Sequence, residues 1–191
     1  MVAAVDKNWL LSMLEEWNAA AAKGKLGMRL IAIGGTALTL LNIKASTKDI
    51  DFTVPEEDLA ALSALLEKTG AKAAGGVSFR TKEGARLDIF KDGQIFSTTL
   101  PEDFLEQSAM IRDFGSIKLY ALSVYDIIIT KLARNSVSDE EDIKAVFKGC
   151  AIDTGRLKRR HEEAQKLNYD KNLKYHFERL LNILLREWQK A

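Results

Sequence analysis

Two aspartates stand one residue apart in Lys48-Asp49-Ile50-Asp51-Phe52, and a third, Asp88, sits between apolar residues in Arg86-Leu87-Asp88-Ile89-Phe90. On an extended strand alternate residues face the same way, so Asp49 and Asp51 would project their carboxylates side by side. Two like charges that close repel unless something neutralises them, and a divalent cation held by oxygen ligands is the usual remedy. A sheet that brought Asp88 alongside would complete three strand-borne carboxylates. Such a set suits two Mg²⁺ ions clamping the attacking and leaving oxygens of a phosphoryl displacement. In that arrangement Asp49 and Asp51 hold both ions, while Asp88 binds one of them and helps to take the proton from an acceptor hydroxyl.

Upstream, Ile31-Ala32-Ile33-Gly34-Gly35-Thr36 ends an apolar run with two glycines and opens a short helical segment. Residues without side chains let a helix N-terminus approach a phosphate, with backbone amides and the Thr36 hydroxyl as donors. The triphosphate of an NTP would then lie between amides on one side and metal ions on the other. Phosphoryl transfer asks of a protein mainly this positioning and charge stabilisation. Taken singly, a Gly-Gly after a strand is a tight turn, and an Asp-Ile-Asp is an exposed strand with its apolar residues turned inward. It is the conjunction of glycines, spacing and Asp88 that favours a shared site.

The surrounding pattern predicts the elements that would position these residues. Apolar positions 9, 10, 13, 14 and 17 share a helix face, with Asp6 as N-cap and Gly24 as stop. Met28 to Gly34 reads as a buried strand, Thr36 to Asn42 as a short helix, and Asp49 to Val54 as a second strand. Pro55 opens a helix that ends at Gly70. Hairpins follow around Lys82-Glu83-Gly84 and around Gly115. Beyond residue 120 the chain reads as helical throughout, with capping boxes at Ser123/Asp126 and Ser138/Glu141. This order predicts an α+β fold, a mixed β-sheet flanked by helices, with an α/β core over 1–120 and a C-terminal helical region over 121–191. In the last helix Leu173, Phe177, Leu180, Leu181, Leu184, Leu185 and Trp188 share a face and read as packing residues.

Composition narrows the classes. The 191 residues are 47% apolar and 29% charged, the balance of an ordinary globular protein. Lys plus Arg number 28 against 27 for Asp plus Glu, so a net charge of +1 gives no global argument for nucleic acid or a membrane. One cysteine, Cys150, excludes an internal disulfide and a cysteine-based zinc site. No stretch approaches the roughly 20 apolar residues of a bilayer span. The expected location is cytoplasmic, with no membrane partner. The basic stretch Arg156 to Lys166 reads as solvated surface, His161 and His176 as surface or boundary residues, and Cys150 as a small buried residue near a helix end.

The run "IGGTALTLLNIKASTKDIDF" resembles the signature of the nucleotidyltransferase (DNA polymerase β-like) superfamily: Gly-Gly, a gap of about a dozen residues, then Asp-hydrophobic-Asp, with a third acid on a later strand. The later "YDIIITKLARNSVSDEEDI" is similar to a helical element of AbiEii-type toxins and related prokaryotic nucleotidyltransferases, in which a Lys and an Arg precede an Asp-x-x-Asp. The resemblance covers roughly residues 28 to 148. It implies an NTP donor, Mg²⁺, and nucleotide transfer to a hydroxyl of RNA (a tRNA 3′ end among them), a protein or a small molecule. It also implies that Lys131 and Arg134 contact the phosphates or nucleotide, and that Asp139 and Asp142 orient those bases or the substrate. Lys48 joins the candidate nucleotide contacts. Relatives often carry Arg where this chain has Ala45, with Lys44 and Lys48 nearby, and a basic residue where it has Ser138. The alternative is a catalytically silent member serving as a binding or regulatory module, such as a toxin–antitoxin component that pairs with an antitoxin or with itself.

Overall fold

The computed structural model describes residues 4–168 and 171–188, the side chains of 171, 172 and 184–188 excepted. The chain opens with β1 (Val5–Asp6) and α1 (Lys7–Lys23). Asp6 caps that helix, its carboxylate accepting from the Trp9 amide at 2.8 Å. Leu10, Leu14, Trp17 and Ala21 bury one face of it. The apolar run predicted as a strand is β2 (Met28–Ala32), which leads through Ile33 into α2 (Gly34–Leu40). A short β3 (Ser46–Thr47) returns to pair with β1, and β4 (Ile50–Val54) follows. Asp49 therefore lies in the bend just before the strand expected to contain it.

Pro55 caps a single 3₁₀ turn at Glu56–Asp58 before α3 (Leu59–Lys68) begins. The next strands are β5 (Lys72–Gly75), β6 (Ser78–Arg80), β7 (Arg86–Lys91), β8 (Gln94–Ile95) and β9 (Thr98–Thr99). The second predicted hairpin is β10 (Ala109–Asp113) with β11 (Ile117–Ala121). Four helices complete the chain: α4 (Val124–Arg134), α5 (Val137–Gly149), α6 (Thr154–Leu167) and α7 (Lys171–Trp188).

Among the described residues, nine strands form one mixed sheet in the order β10-β11-β2-β4-β7-β6-β5, with β8 paired to β7 and β9 to β8. At its centre β11 and β2 run parallel, β2 and β4 antiparallel, and β4 and β7 parallel. Strands covered on both faces become near-continuous apolar runs, which is how β2 and β4 read. The β4/β7 register places Asp51 directly beside Asp88. In-register neighbours in a sheet face the same way.

Helix α4 packs against α2, α5, α6 and α7, and its Ile127, Ile128 and Ile129 are fully buried. One continuous apolar cluster runs from Val5 to Phe177, so sheet and C-terminal helices share a core. Leu173 and Phe177 of α7 belong to it, with Leu180 and Leu181 packed against it. Leu184, Leu185 and Trp188 lie outside the residues whose side chains are described.

Several local expectations are corrected. The capping box of α5 is Ser136/Asp139 and not Ser138/Glu141. Asn135 closes α4 in the left-handed conformation at φ +49°, a role asparagine tolerates, and the next helix then starts at once. Within the basic stretch of α6, Arg160 is buried and forks onto Asp126 at 2.7 and 3.1 Å, with Asp103 and Glu163 completing its partners. His161 is buried as well, stacked on Phe177 with ring centroids 3.8 Å apart, and no hydrogen bond reaches its Nε2 among the described residues. Burial holds this imidazole below its ordinary pKa, against an opposing backbone contact with Leu173. Cys150 is half-buried at the end of α5. No described helix is long and apolar enough to cross a membrane.

Candidate functional site

The glycine pair is demanded by the backbone before any ligand is considered. Gly34 has φ +52°, and a side-chain carbon there would stand 3.5 Å from Asp51 Oδ2. At Gly35 the same carbon would meet Thr47 Oγ1 at 2.6 Å, closer than real side chains approach. The turn is thus pressed against both the acid strand and the ribbon strand β3. Thr36, fully buried, fastens the two pieces: its hydroxyl donates to the Asp49 carbonyl at 3.2 Å and accepts from the Asp51 amide at 2.9 Å. Thr47 donates to the same carbonyl at 3.0 Å. Its single proton spent in this way, the Thr36 hydroxyl has none for a phosphate, and the donors left at the turn are the first backbone amides of α2.

Asp51 opens into a cleft lined by Gly34, Gly35, Phe96, Lys131 and Arg134. Burial pushes its carboxyl up to about 7, and the neighbouring Asp88 and Asp49 add to the rise, while Arg134 and Lys131 oppose it. Asp88 is itself buried and held on three sides. Ser78 donates to its Oδ1 at 2.6 Å, Arg86 Nε to the same oxygen at 3.1 Å, and the Arg86 terminal nitrogen lies 2.9 Å from Oδ2. Among the described residues, no three His, Cys, Asp or Glu side chains gather closely enough to hold a metal ion unaided. The Arg86 guanidinium pairs with both Asp88 oxygens. Oxygen ligands of this kind suit a hard cation: two carboxylates stand in register, and burial together with the neighbouring Asp88 and Asp49 disfavours the charged form of Asp51. The Arg86 side chain is itself half-exposed.

The far wall is a buried ion cluster. Lys131, only 3% exposed, reaches Asp142 at 2.6 Å and Asp139 at 3.2 Å. Lys44, from the loop after α2, lies 2.5 Å from the other Asp142 oxygen. Arg134 forks onto Asp139 at 2.9 and 2.5 Å. Burial alone would raise the Asp139 carboxyl, but Arg134, Ser136 and Lys131 together carry it well below the usual carboxylate range. Three cations pair with two carboxylates in this cluster, and two of the cations, Lys131 and Arg134, line the cleft opposite Asp51.

The structure therefore brings Gly34, Gly35, Asp51, Lys131 and Arg134 around one cleft, with Asp88 beside Asp51 and Asp49 at the strand's start. Asp139 and Asp142 stand behind the two bases and fix their positions. Lys48 is exposed, and among the described residues it is not one of those lining the cleft. Two participants were missed from sequence. Arg86 sits two residues before Asp88 on the same face of β7, a spacing that was legible. Phe96 lies in a short hairpin whose signal is a lone aromatic among turn residues.

Comparisons with known proteins bear on the family and on the fold. The profile of a family described as "Nucleotidyltransferase of unknown function (DUF6036)" matches residues 9–191. No curated protein matches the chain in sequence. The crystal structure of ANT(2″)-Ia in complex with adenylyl-2″-tobramycin is similar in fold, with TM-score 0.54 and 17% identity over 78% of this chain and 93% of that one. Its solution structure gives TM-score 0.54 and 16% identity over 95% and 98%. An antigenic nucleotidyltransferase-like protein from Paracoccidioides brasiliensis gives 0.53 and 13% over 98% and 92%. At such identities the likeness speaks for the fold alone, and the profile, which runs from the middle of the first helix's first turn to the last residue, speaks for the family: the chain belongs to the nucleotidyltransferases of that description.

Proposed function

We propose that this protein transfers a nucleoside monophosphate from an NTP to an acceptor hydroxyl, with Mg²⁺ held by Asp49, Asp51 and Asp88. The observation that carries this reading is the in-register pair Asp51/Asp88 opening beside an amide-lined glycine turn, with Lys131 and Arg134 lining the same cleft. The acceptor oxygen forms a bond to the α-phosphorus, the bond from that phosphorus to the bridging oxygen breaks, and pyrophosphate leaves. The proton of the hydroxyl passes to a carboxylate, for which Asp88, oriented by Ser78, is the candidate. Arg134 and Lys131 balance phosphate charge, and the amides at the start of α2 orient the triphosphate. Bound Mg²⁺ supplies further neutralisation of the phosphate oxygens and lowers the cost of ionising the acceptor.

ANT(2″)-Ia, crystallised with an adenylylated aminoglycoside, makes small polyhydroxyl compounds a first acceptor class to try, with RNA and protein hydroxyls beside them. The test is incubation of the pure protein with α-labelled NTPs, Mg²⁺ and each acceptor class in turn. Label is expected on one class and lost with Asp51→Asn.

A second reading rests on the Arg86–Asp88 pair, which fills one acid's coordination, and on the likeness of Tyr125 to Ile143 to AbiEii-type toxins. It is a silent binding module, such as a toxin–antitoxin component. Calorimetry separates the two: the enzyme requires NTP affinity that depends on Mg²⁺ and vanishes in Asp51→Asn, and the silent module shows neither.

A further inference from the structure

Phe96 is a large aromatic side chain left 53% exposed at the edge of the cleft, and nothing in the triphosphate chemistry uses it. It occupies the first position of the two-residue turn between β8 and β9, where Ile95 pairs with Thr98. Its φ is +53°, whereas Ser97 keeps a negative one. A hairpin turn that is left-handed at its first position is glycine's place. A bulky residue held there is an outlier of the kind found at ligand clamps.

The ring is held where a ligand could use it. Phe90, two residues beyond Asp88 and so on the same face of β7, meets it edge-on with centroids 4.9 Å apart and planes at 60°. The Arg134 guanidinium lies over one face of the ring, 4.9 Å from its centroid, so a stacking base would take the opposite face. An aromatic surface adjoining a cation that faces the acid pair complements a molecule with an anionic chain at one end and a planar ring at the other.

The geometry points to Phe96 as the platform on which the base of the donor nucleotide stacks while Arg134 meets its phosphates. This inference rests on the triphosphate reading of the cleft. Stacking accepts any base, since each has a π face, so the site takes purine and pyrimidine nucleotides with modest discrimination.

The experiment compares the full chain with Phe96→Gly and Phe96→Trp by calorimetry, using the Mg²⁺ complexes of ATP, GTP, CTP and UTP and of inorganic tripolyphosphate. Glycine suits the left-handed turn, so the first variant is expected to fold with an unchanged circular dichroism spectrum. It is expected to bind each NTP about tenfold more weakly, within the range for removing a base-stacking aromatic, and tripolyphosphate as well as the native chain does. Phe96→Trp keeps NTP affinity, and its added fluorescence over the native protein is quenched by NTPs but not by tripolyphosphate. Equal NTP affinity in native and Phe96→Gly proteins overturns the stacking and leaves the triphosphate site standing. Equal losses for NTP and tripolyphosphate overturn it too, because Phe96 then only shapes the phosphate pocket. A native protein that binds neither NTP nor tripolyphosphate removes both readings.

Discussion

The folded chain binds a proton at Asp51 more tightly than the unfolded chain does, because burial, Asp88 and Asp49 raise that carboxyl from 3.8 to about 7. Below pH 3.8 both forms are protonated and the full contribution to stability is present. As pH rises toward 7 the unfolded chain ionises first, and the contribution is lost. Each tenfold difference in proton affinity is worth about 1.4 kcal/mol, so the metal-free protein is expected to lose on the order of a few kcal/mol over this window. Denaturant melts from pH 4 to 8 should show the decline, and Asp51→Asn should flatten it while abolishing nucleotide transfer. Added Mg²⁺ should stabilise the native chain at pH 8 and leave the variant unmoved. Gly35→Ala makes a second expectation. The new methyl meets Thr47 Oγ1, which holds the Asp49 carbonyl. Overpacking of this kind costs about 1–3 kcal/mol, more than alanine's helix advantage of roughly 0.5–1 kcal/mol returns. A lowered melting temperature with weaker Mg²⁺ binding would register both effects.

Between α4 and α5 the sequence carries two serines with an acid three residues on, Ser136/Asp139 and Ser138/Glu141, and either satisfies the capping-box pattern. In the structure the left-handed Asn135 ends α4 one residue before Ser136, and Ser136 takes the cap with Asp139 as its partner. Position along the chain could not show that Asp139 serves at once as a helix cap and as the partner of Arg134 and Lys131. The main strands and helices were legible because long apolar periodicity is set by burial. Strand β5, exposed along its whole length, and the two-residue β8 and β9 carry no such signal. The acids' register was legible only as a hope that a sheet would align them, since cross-strand pairing is not written in either strand alone. At this scale the expectation concerns Asp142→Ala, which strips Lys44 and Lys131 of a shared partner. Breaking a buried pair in this way costs about 3–5 kcal/mol. Ser136→Ala, removing one cap contact, should cost about 1 kcal/mol. Chemical denaturation orders the two.

Across the whole molecule the central strands β11, β2, β4 and β7 come from four distant parts of the chain and are covered by helices, whereas β5 sits at the sheet's outer edge and is exposed. Local opening follows burial. Hydrogen exchange read by mass spectrometry should therefore find β2 and β4 slowest, α4 close behind because it lies among four other helices, and β5 to β6 fastest. Uniform protection across the sheet would contradict the shared core. The apolar cluster runs without a break past residue 120, where the chain passes from strands to helices.

The position of Thr36 has a thermodynamic corollary. One hydroxyl joins the backbone of the acid strand to the first turn of α2, so a cation drawn to the carboxylates and an anion drawn to the amides act on a single mechanical piece. Their binding free energies should be linked, each ligand raising affinity for the other by the same factor. In Thr36→Val, with the bridge gone, that mutual enhancement should shrink toward unity.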